Sequence, residues 1–334
     1  MNDKQSRFSI LRPLTVDEGV KLLDCILTYF SPLENTKIRR ALDLPLNDGM
    51  LMPLPSFELM KYITICHPEI NALQYMHHIR SLIERLEAKG ILVNMGASGN
   101  VIIPKNYHSL MELTKKQELS HYWFADHLGG EFIYDYFNDF TVRIIGENEA
   151  GDEHAGTGVI LSNNVVLTCA HVLNEMKPNN EQVFQGQNAK IKETRCHPKI
   201  DVGVIVLEGS PLRFDNSVCF RTPQISDEIY LLGYPPIPYT QNPSPVMQKG
   251  EVINASVKSY EHNDLFLFSA IARPGNSGGP IIARTGEIIG LVTSELSYQE
   301  STNFPFFAGV PSASIASALA ELGFENVLPI EDYQ

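Results

Sequence analysis

A multidomain α+β fold is predicted, with a mostly helical N-terminal part followed by an all-β body closed by one helix. Three observations predict it. Apolar residues recur at helical spacing between Val20 and Leu86. From Phe140 onward short β-branched runs alternate with Gly, Pro and Asn turns, as in Tyr230-Leu231-Leu232-Gly233-Tyr234-Pro235-Pro236. That pattern suggests paired β-barrels rather than alternating β/α units. An Ala/Leu helix over 311–322, capped by Ser312 or Ser314, then ends the body. The 334 residues give room for two domains, and 43% hydrophobic with 19% charged residues is a globular composition.

The net charge of −13 disfavours tight nonspecific binding to nucleic acid or anionic membrane. No apolar signal core follows the polar start from Met1 to Arg7. No run approaches the roughly 18 apolar residues of a membrane span. Cys25, Cys66, Cys169, Cys196 and Cys219 are odd in number and lack CxxC spacing, so they read as reduced thiols of a cytoplasmic protein rather than a disulfide framework or a zinc ribbon.

The elements follow in order. Thr15-Val16-Asp17-Glu18 is a capping box; Val20, Leu22, Leu23, Ile26, Leu27 and Phe30 continue it as a helix that ends at Ser31-Pro32. A short helix over 35–42 precedes a Pro/Gly-rich break over 45–55. A third helix spans 56–66. A fourth spans 71–89, with Leu73, Met76, Ile79, Leu82, Ile83 and Leu86 on one stripe and Gly90 as its stop. Residues 91–93 and 101–103 flank a Gly/Asn-rich turn and read as a hairpin.

Helices followed by a hairpin, over about residues 12–105, resemble a winged helix-turn-helix domain, assigned to 1–106. A reading helix of that kind would offer His77, His78, Arg80 and Arg85 to DNA. The wing has no Lys or Arg to reach phosphate, and residues 1–140 carry a net charge of −3. A regulatory protein partner or self-association is therefore expected, with nucleic acid as the disfavoured alternative. His67, His77, His78, His121 and His127 lack tight ligand spacing, so no metal is expected. Residues 107–139 form a helical connector carrying Tyr122, Trp123, Phe124, Phe132, Tyr134, Tyr136 and Phe137. That density suits packing between domains or against the following body better than an exposed partner patch. The body, 140–334, opens with a strand over 140–145 and an acidic loop over 146–156.

The chemistry centres on Gly275-Asn276-Ser277-Gly278-Gly279-Pro280. Glycines on both sides let the backbone approach a substrate and expose the serine, with amides beside it aimed at one spot. Such a serine needs a base, and the base an orienter. His171 ends the apolar run of residues 165–168, in Thr168-Cys169-Ala170-His171. Asp201 heads a β-branched run in Asp201-Val202-Gly203-Val204. Each alone has a plainer reading, as a turn serine, a structural histidine or a strand-start aspartate; the order His, Asp, Ser is one of the known triad orders. Asp215 and Asp227 are alternative acids, though neither leads a comparable strand. Cys169 reads as a small buried packing residue.

These segments, with Gly156-Thr157-Gly158-Val159-Ile160-Leu161, resemble the trypsin-like (chymotrypsin-fold) serine endopeptidases, most of all their HtrA-type branch, over about residues 140–324. The resemblance implies a double Greek-key barrel with a closing helix. It also implies His171, Asp201 and Ser277 as the catalytic triad, with the amides of Gly275 and Ser277 as the oxyanion hole, and no cofactor. By family position Ile271, Ala272, Thr293, Ser294, Glu295 and an Ala308-Gly309 turn would bind substrate. No acid lies at the pocket base, so a small or medium apolar side chain is expected there. Glu295 at the rim would recruit a basic neighbour or stay solvated. Asn276 stands where the digestive proteases carry Asp, so activation through an N-terminal ion pair is not expected. No peptide-binding domain of the HtrA kind is expected after the closing helix. Two other classes stay open at this point: a catalytically silent protease fold used for interaction, and a DNA-binding regulator whose protease half cleaves a partner or itself. By fold-level analogy the chain would be a conditional effector in stress or anti-phage defence.

Overall fold

The computed structural model describes residues 12–46, 52–109, 113–214, 218–241, 243–298, 301–325 and 327–331, with side chains at 294–298 and 301–305 left aside. The chain divides into two compact units, Met1–Leu113 and Thr114–Gln334.

The first unit contains α1 (Val16–Phe30), α2 (Asn35–Ala41), a 3₁₀ turn (Ser56–Glu58) continued by α3 (Leu59–Cys66), α4 (Met76–Ala88), β1 (Leu92–Ala97) and β2 (Lys105–Ser109). The capping box forms: the Thr15 side chain accepts from Glu18 N, and Glu18 reaches back to the Thr15 amide. Leu22, Leu23, Ile26, Ile63, Ile79, Ile83 and Leu86 fill the core. Two sequence expectations shift. α4 begins at Met76 rather than 71, because residues 71–75 form turns closed on the Asn71 carbonyl. The second hairpin strand lies at 105–109 rather than 101–103, because the Asn100 carboxamide accepts from the amides of Ile102 and Ile103, at 2.7 and 3.3 Å, and curls that segment into a loop. Asx turns of this kind compete with strand ladders for the same backbone groups.

The second unit begins with α5 (Lys115–Glu118), a 3₁₀ turn (Tyr122–Phe124), α6 (Ala125–Leu128) and α7 (Gly130–Asn138). Tyr122, Phe124, Phe132, Ile133 and Phe137 are buried, and α7 packs on strands of the β body. The aromatic segment is thus part of this unit from residue 114 on. Residues 107–109 belong to the first unit, where Tyr107 and His108 are buried in β2.

Strands β3 (Thr141–Glu147), β4 (Glu153–Ser162), β5 (Val165–Thr168), β6 (Lys177–Pro178), β7 (Glu181–Phe184), β8 (Gln187–Cys196) and β9 (Gly203–Leu207) form a seven-stranded sheet in the order β6-β3-β4-β5-β9-β8-β7, with α8 (Ala170–Glu175) between β5 and β6. Strands β10 (Glu228–Gly233), β11 (Val246–Lys258), β12 (Asp264–Phe268), β13 (Pro280–Ala283), β14 (Ile288–Tyr298) and β15 (Ser301–Pro311) close a barrel in the order β10-β11-β12-β15-β14-β13. The expected pair of barrels is therefore one closed barrel and one sheet that, among the described residues, no strand pairing closes. Gln182 on β7 bridges that sheet's gap: its carboxamide accepts from Ile145 N on β3 at 3.0 Å and donates to Ile145 O at 2.8 Å. The body ends with α9 (Ser312–Glu321). Pro311 occupies its N-cap position, and the Ser312 hydroxyl donates to Arg221 O at 2.7 Å instead of capping. Ala308 and Gly309 lie within β15 rather than in a turn, and a Cβ on Gly309 would fall 2.7 Å from Phe266 and Ile281 atoms, so this position is filled by barrel core.

Candidate active site

β5 ends at Thr168, and the chain turns through buried Cys169 into α8, whose second residue is His171. Asp201 sits in the loop between β8 and β9. Its Oδ1 accepts from the His171 amide at 2.9 Å and its Oδ2 from His171 Nδ1 at 2.7 Å. A carboxylate only accepts, so Nδ1 carries the proton and Nε2 is the free nitrogen of the neutral ring. The Thr293 hydroxyl also donates to Asp201 Oδ2.

Burial alone would push the Asp201 carboxyl up, but the bond to His171, its charge and the Thr293 hydroxyl together hold it down to about 2. Burial alone would pull the His171 imidazole down; the hydrogen bond and charge of Asp201, with Glu175 adding to them, outweigh that and raise it above its ordinary value. Of the alternative acids, Asp227 is engaged by Arg221 through two bonds of 2.8 and 2.9 Å, and Asp215 lies outside the described residues. Cys169 Sγ donates to Val292 O at 3.2 Å, and burial pushes its thiol well above the usual range. It lies close to His171 and Asp201, and among the described residues these three form the one group able to approach a metal ion together.

Ser277 lies between β12 and β13. The turn before it is closed by Asn276 N donating to Arg273 O at 2.9 Å, with φ at Gly275 of +91°. A positive φ at the third position marks a type II turn, whose middle peptide is flipped relative to a type I turn. Only glycine adopts this readily, and here a Cβ would also sit 2.7 Å from Tyr234 O. Gly278 has φ +81°, and a Cβ there would meet Thr157 O at 2.2 Å. Among the described residues, no backbone carbonyl accepts from the amides of Gly275 or Ser277, which leaves two adjacent donors for an incoming oxyanion. The Ser277 hydroxyl donates to Thr293 O at 3.3 Å, the weak end of hydrogen-bond range, and not to the imidazole. Catalytic contacts are often loose in unliganded sites.

His171, Asp201, Ser277, Ala272, Arg273, Thr293 and Glu175 are among the residues lining one cleft of about 540 Å³. Of the expected substrate-binding residues, Ala272 and Thr293 line it, while Ile271 is half exposed and absent from its wall. The side chains of Ser294 and Glu295 lie outside the described set. Thr293 has a second role that its position in the sequence did not signal, as a partner of the acid. Three further residues were missed: Glu175 one helical turn past His171, Arg273 at the first position of the turn, and Thr157, whose hydroxyl donates to Gly275 O. The Gly156-Thr157-Gly158 motif marked the position of Thr157 without indicating its bond.

Similarity to known proteins falls on the segment that carries these residues. Residues 156–291 match the model of the trypsin-like peptidase domain. A probable periplasmic serine endoprotease, DegP-like, of Chlamydia trachomatis is 29% identical over 175 residues, covering 49% of this chain and 35% of its own length. A serine protease HtrA-like of Staphylococcus aureus is 26% identical over 206 residues, 56% of this chain and 26% of its own. The chain thus spans about a third or less of these relatives. The crystal structure of the Rv3671c protease from M. tuberculosis, active form, is 21% identical and covers 57% of this chain and 84% of its own, with a TM-score of 0.45. Over residues 156–291 the chain thus matches the trypsin-like peptidase domain, and the relatives it resembles there are HtrA- and DegP-like serine proteases.

Proposed function

We propose that the chain is a serine endopeptidase that hydrolyses peptide bonds of a protein substrate through His171, Asp201 and Ser277. The observation that carries this reading is the carboxylate of Asp201 gripping both the amide and Nδ1 of His171 in the cleft that Ser277 also lines. In this reading the Ser277 hydroxyl turns from Thr293 O towards the free Nε2 nitrogen of His171. The imidazole takes the proton as Oγ attacks the carbonyl. Asp201 holds the tautomer and stabilises the imidazolium, and the Gly275 and Ser277 amides receive the oxyanion. The imidazolium then protonates the leaving amine, and water, activated in the same way, frees the acid product. No step requires a cofactor or metal. Ala272 and Thr293 in the cleft wall suit a small or medium apolar side chain at the scissile bond.

The N-terminal unit is read as a winged-helix-like module that binds a regulatory partner or a second copy. Its order of helices and hairpin supports the resemblance. Arg80 is tied to Glu84 at 2.8 Å and His78 to Arg12 O at 3.1 Å, so two of the residues a DNA reading would need are already engaged. A cytoplasmic setting belongs to this reading on the odd number and spacing of the cysteines, and a conditional role such as stress or phage defence enters by fold-level analogy. Fluorophosphonate labelling and peptide turnover test the central reading. Ser277→Ala is expected to abolish labelling and to cut turnover by about 10⁴–10⁶-fold while the chain stays folded. Labelling that persists in this variant would remove Ser277 as the nucleophile.

A further inference from the structure

Thr157 lies on β4, in the seven-stranded sheet, yet its bonds go to the turn that carries the nucleophile. Its hydroxyl donates to Gly275 O at 2.6 Å and accepts from Tyr234 N at 3.0 Å. Its amide donates to Ser277 O at 2.9 Å. Its own carbonyl accepts from the Thr168 hydroxyl at 2.7 Å, and Thr157 is fully buried. Asn276, between the two residues it grips, is also fully buried, and neither its Oδ1 nor its Nδ2 has a partner. The Asn276 side chain therefore does not anchor the turn.

From this we infer that Thr157 is the positioning residue of the oxyanion hole, a reading that rests on the proposed serine peptidase chemistry. The carbonyl of Gly275 and the amide of Asn276 share one peptide plane. Fixing that carbonyl holds ψ at Gly275 and the plane of the peptide that follows it; with φ at Gly275 at +91°, the direction of the Gly275 amide is then set relative to an anchored peptide. The bond to Ser277 O does the same for the peptide leaving the nucleophile. The Tyr234 amide orients the hydroxyl: with one lone pair filled, its proton points to Gly275 O. Thr157 thus does with a neutral hydroxyl, reaching across from the other sheet, what a buried ion pair would do with charge. Neutral bonds do not titrate, so the turn holds its form across the pH range in which His171 works.

The test compares fluorophosphonate labelling rates of the native chain with Thr157→Ser, Thr157→Ala and Thr157→Val, each across pH. Loss of the hydroxyl, in the Ala and Val variants, is expected to slow labelling by about 10–100-fold, somewhat less than direct removal of an oxyanion donor. The apparent pKa of the rate, set by His171, stays where it is in the native chain. Thr157→Ser is expected to restore the rate to within about threefold, because it keeps the hydrogen bond and loses only a methyl group. Should the Val variant not fold, Ser against Ala isolates the same hydroxyl. Native rates in the Ala variant would overturn the inference, as would a Ser variant as slow as Ala. A native chain whose labelling is unaffected by Ser277→Ala would instead sink the peptidase reading, a result distinct from either.

Discussion

The seven-stranded sheet and the closed barrel hold their shares of the cleft by different means. In the barrel, backbone bonds place the nucleophile: Gly278 N donates to Val292 O at 2.8 Å, Val292 N to Gly279 O at 2.9 Å, and Gly279 N to Asn276 O at 2.9 Å. In the sheet, side chains place the acid. His197 Nδ1 accepts from the amides of Ile200 and Lys199, at 2.8 and 3.2 Å, and its Nε2 bonds Glu321 on α9 at 2.9 Å. Asn263, from the barrel, donates to Lys199 O at 2.9 Å. At the sheet's open edge the Gln182 carboxamide adds two bonds to Ile145 beside the backbone bond from Asn179 N to Ile145 O at 2.9 Å. The chain on either side of the serine is held mostly by backbone bonds, with the Thr157 hydroxyl as a side-chain fastening; the base and its orienter depend on several single side chains.

The largest expected effect on the sheet side comes from Asp201→Asn. An amide at this position favours the wrong imidazole tautomer, and kcat is expected to fall about 10⁴-fold. The pH profile sharpens the point. His171 must be neutral to act as base, and its raised pKa places the acid limb of kcat/KM above the ordinary histidine value of 6.5. Asp201 stays ionised down to about 2, so that limb belongs to the imidazole. The linkage runs the other way. The stability of the His171–Asp201 pair is fully present below 6.5 and is lost as pH rises through the folded pKa of His171, over the range in which activity appears. In Asp201→Asn the largest influences that raise the imidazole, the hydrogen bond to the carboxylate and its charge, are gone, and the remaining activity should have its limb at lower pH. A limb that does not move would separate Asp201 from His171.

The same contrast explains what could be read from the sequence. The barrel's turn declares itself, because a positive φ at Gly275 and the close approach at Gly278 demand glycine and leave a Gly-rich signature around Ser277. His171 and Asp201 stood out by their order and apolar flanks. α1 was legible because a capping box and an apolar stripe agree on it. Side-chain fastenings leave no such trace. Gln182, His197 and Thr157 are single polar residues in strands or loops, and nothing in their neighbourhood distinguishes a stitch from a solvated side chain. The shift of β2 to residues 105–109 has the same origin, since one Asn100 carboxamide outcompetes an apolar run for the backbone.

A smaller effect is expected from Gln182→Ala. It leaves the amide and carbonyl of Ile145 and the carbonyl of Asn179 without the bonds that Gln182 supplies, which should cost about 1–3 kcal/mol. Chemical denaturation would read the total. Hydrogen exchange would locate it, faster in β3 and β7 and unchanged in β10–β15. Equal acceleration in both would mean that the sheet and the barrel are one cooperative structure rather than two differently fastened ones.

The smallest effect bears on the place where the two meet. Thr293, on barrel strand β14, donates its hydroxyl to Asp201 of the sheet and its carbonyl receives Ser277. Thr293→Val keeps the carbonyl and the shape and removes only the hydroxyl. A hydrogen bond to a charged group is worth about 1.5–3 kcal/mol, but Asp201 keeps both bonds from His171, so the loss in kcat/KM should be about 10-fold or less. The direction of the pH shift is the sharper readout. With one donor fewer, the carboxylate is more basic and attracts the imidazolium more strongly, which raises the imidazole pKa further. The acid limb should therefore move to higher pH in Thr293→Val, opposite to its movement in Asp201→Asn, and return in Thr293→Ser. Movement in the same direction in Val and Asn would show that Thr293 acts by packing alone, and that the barrel supplies the nucleophile without tuning the base.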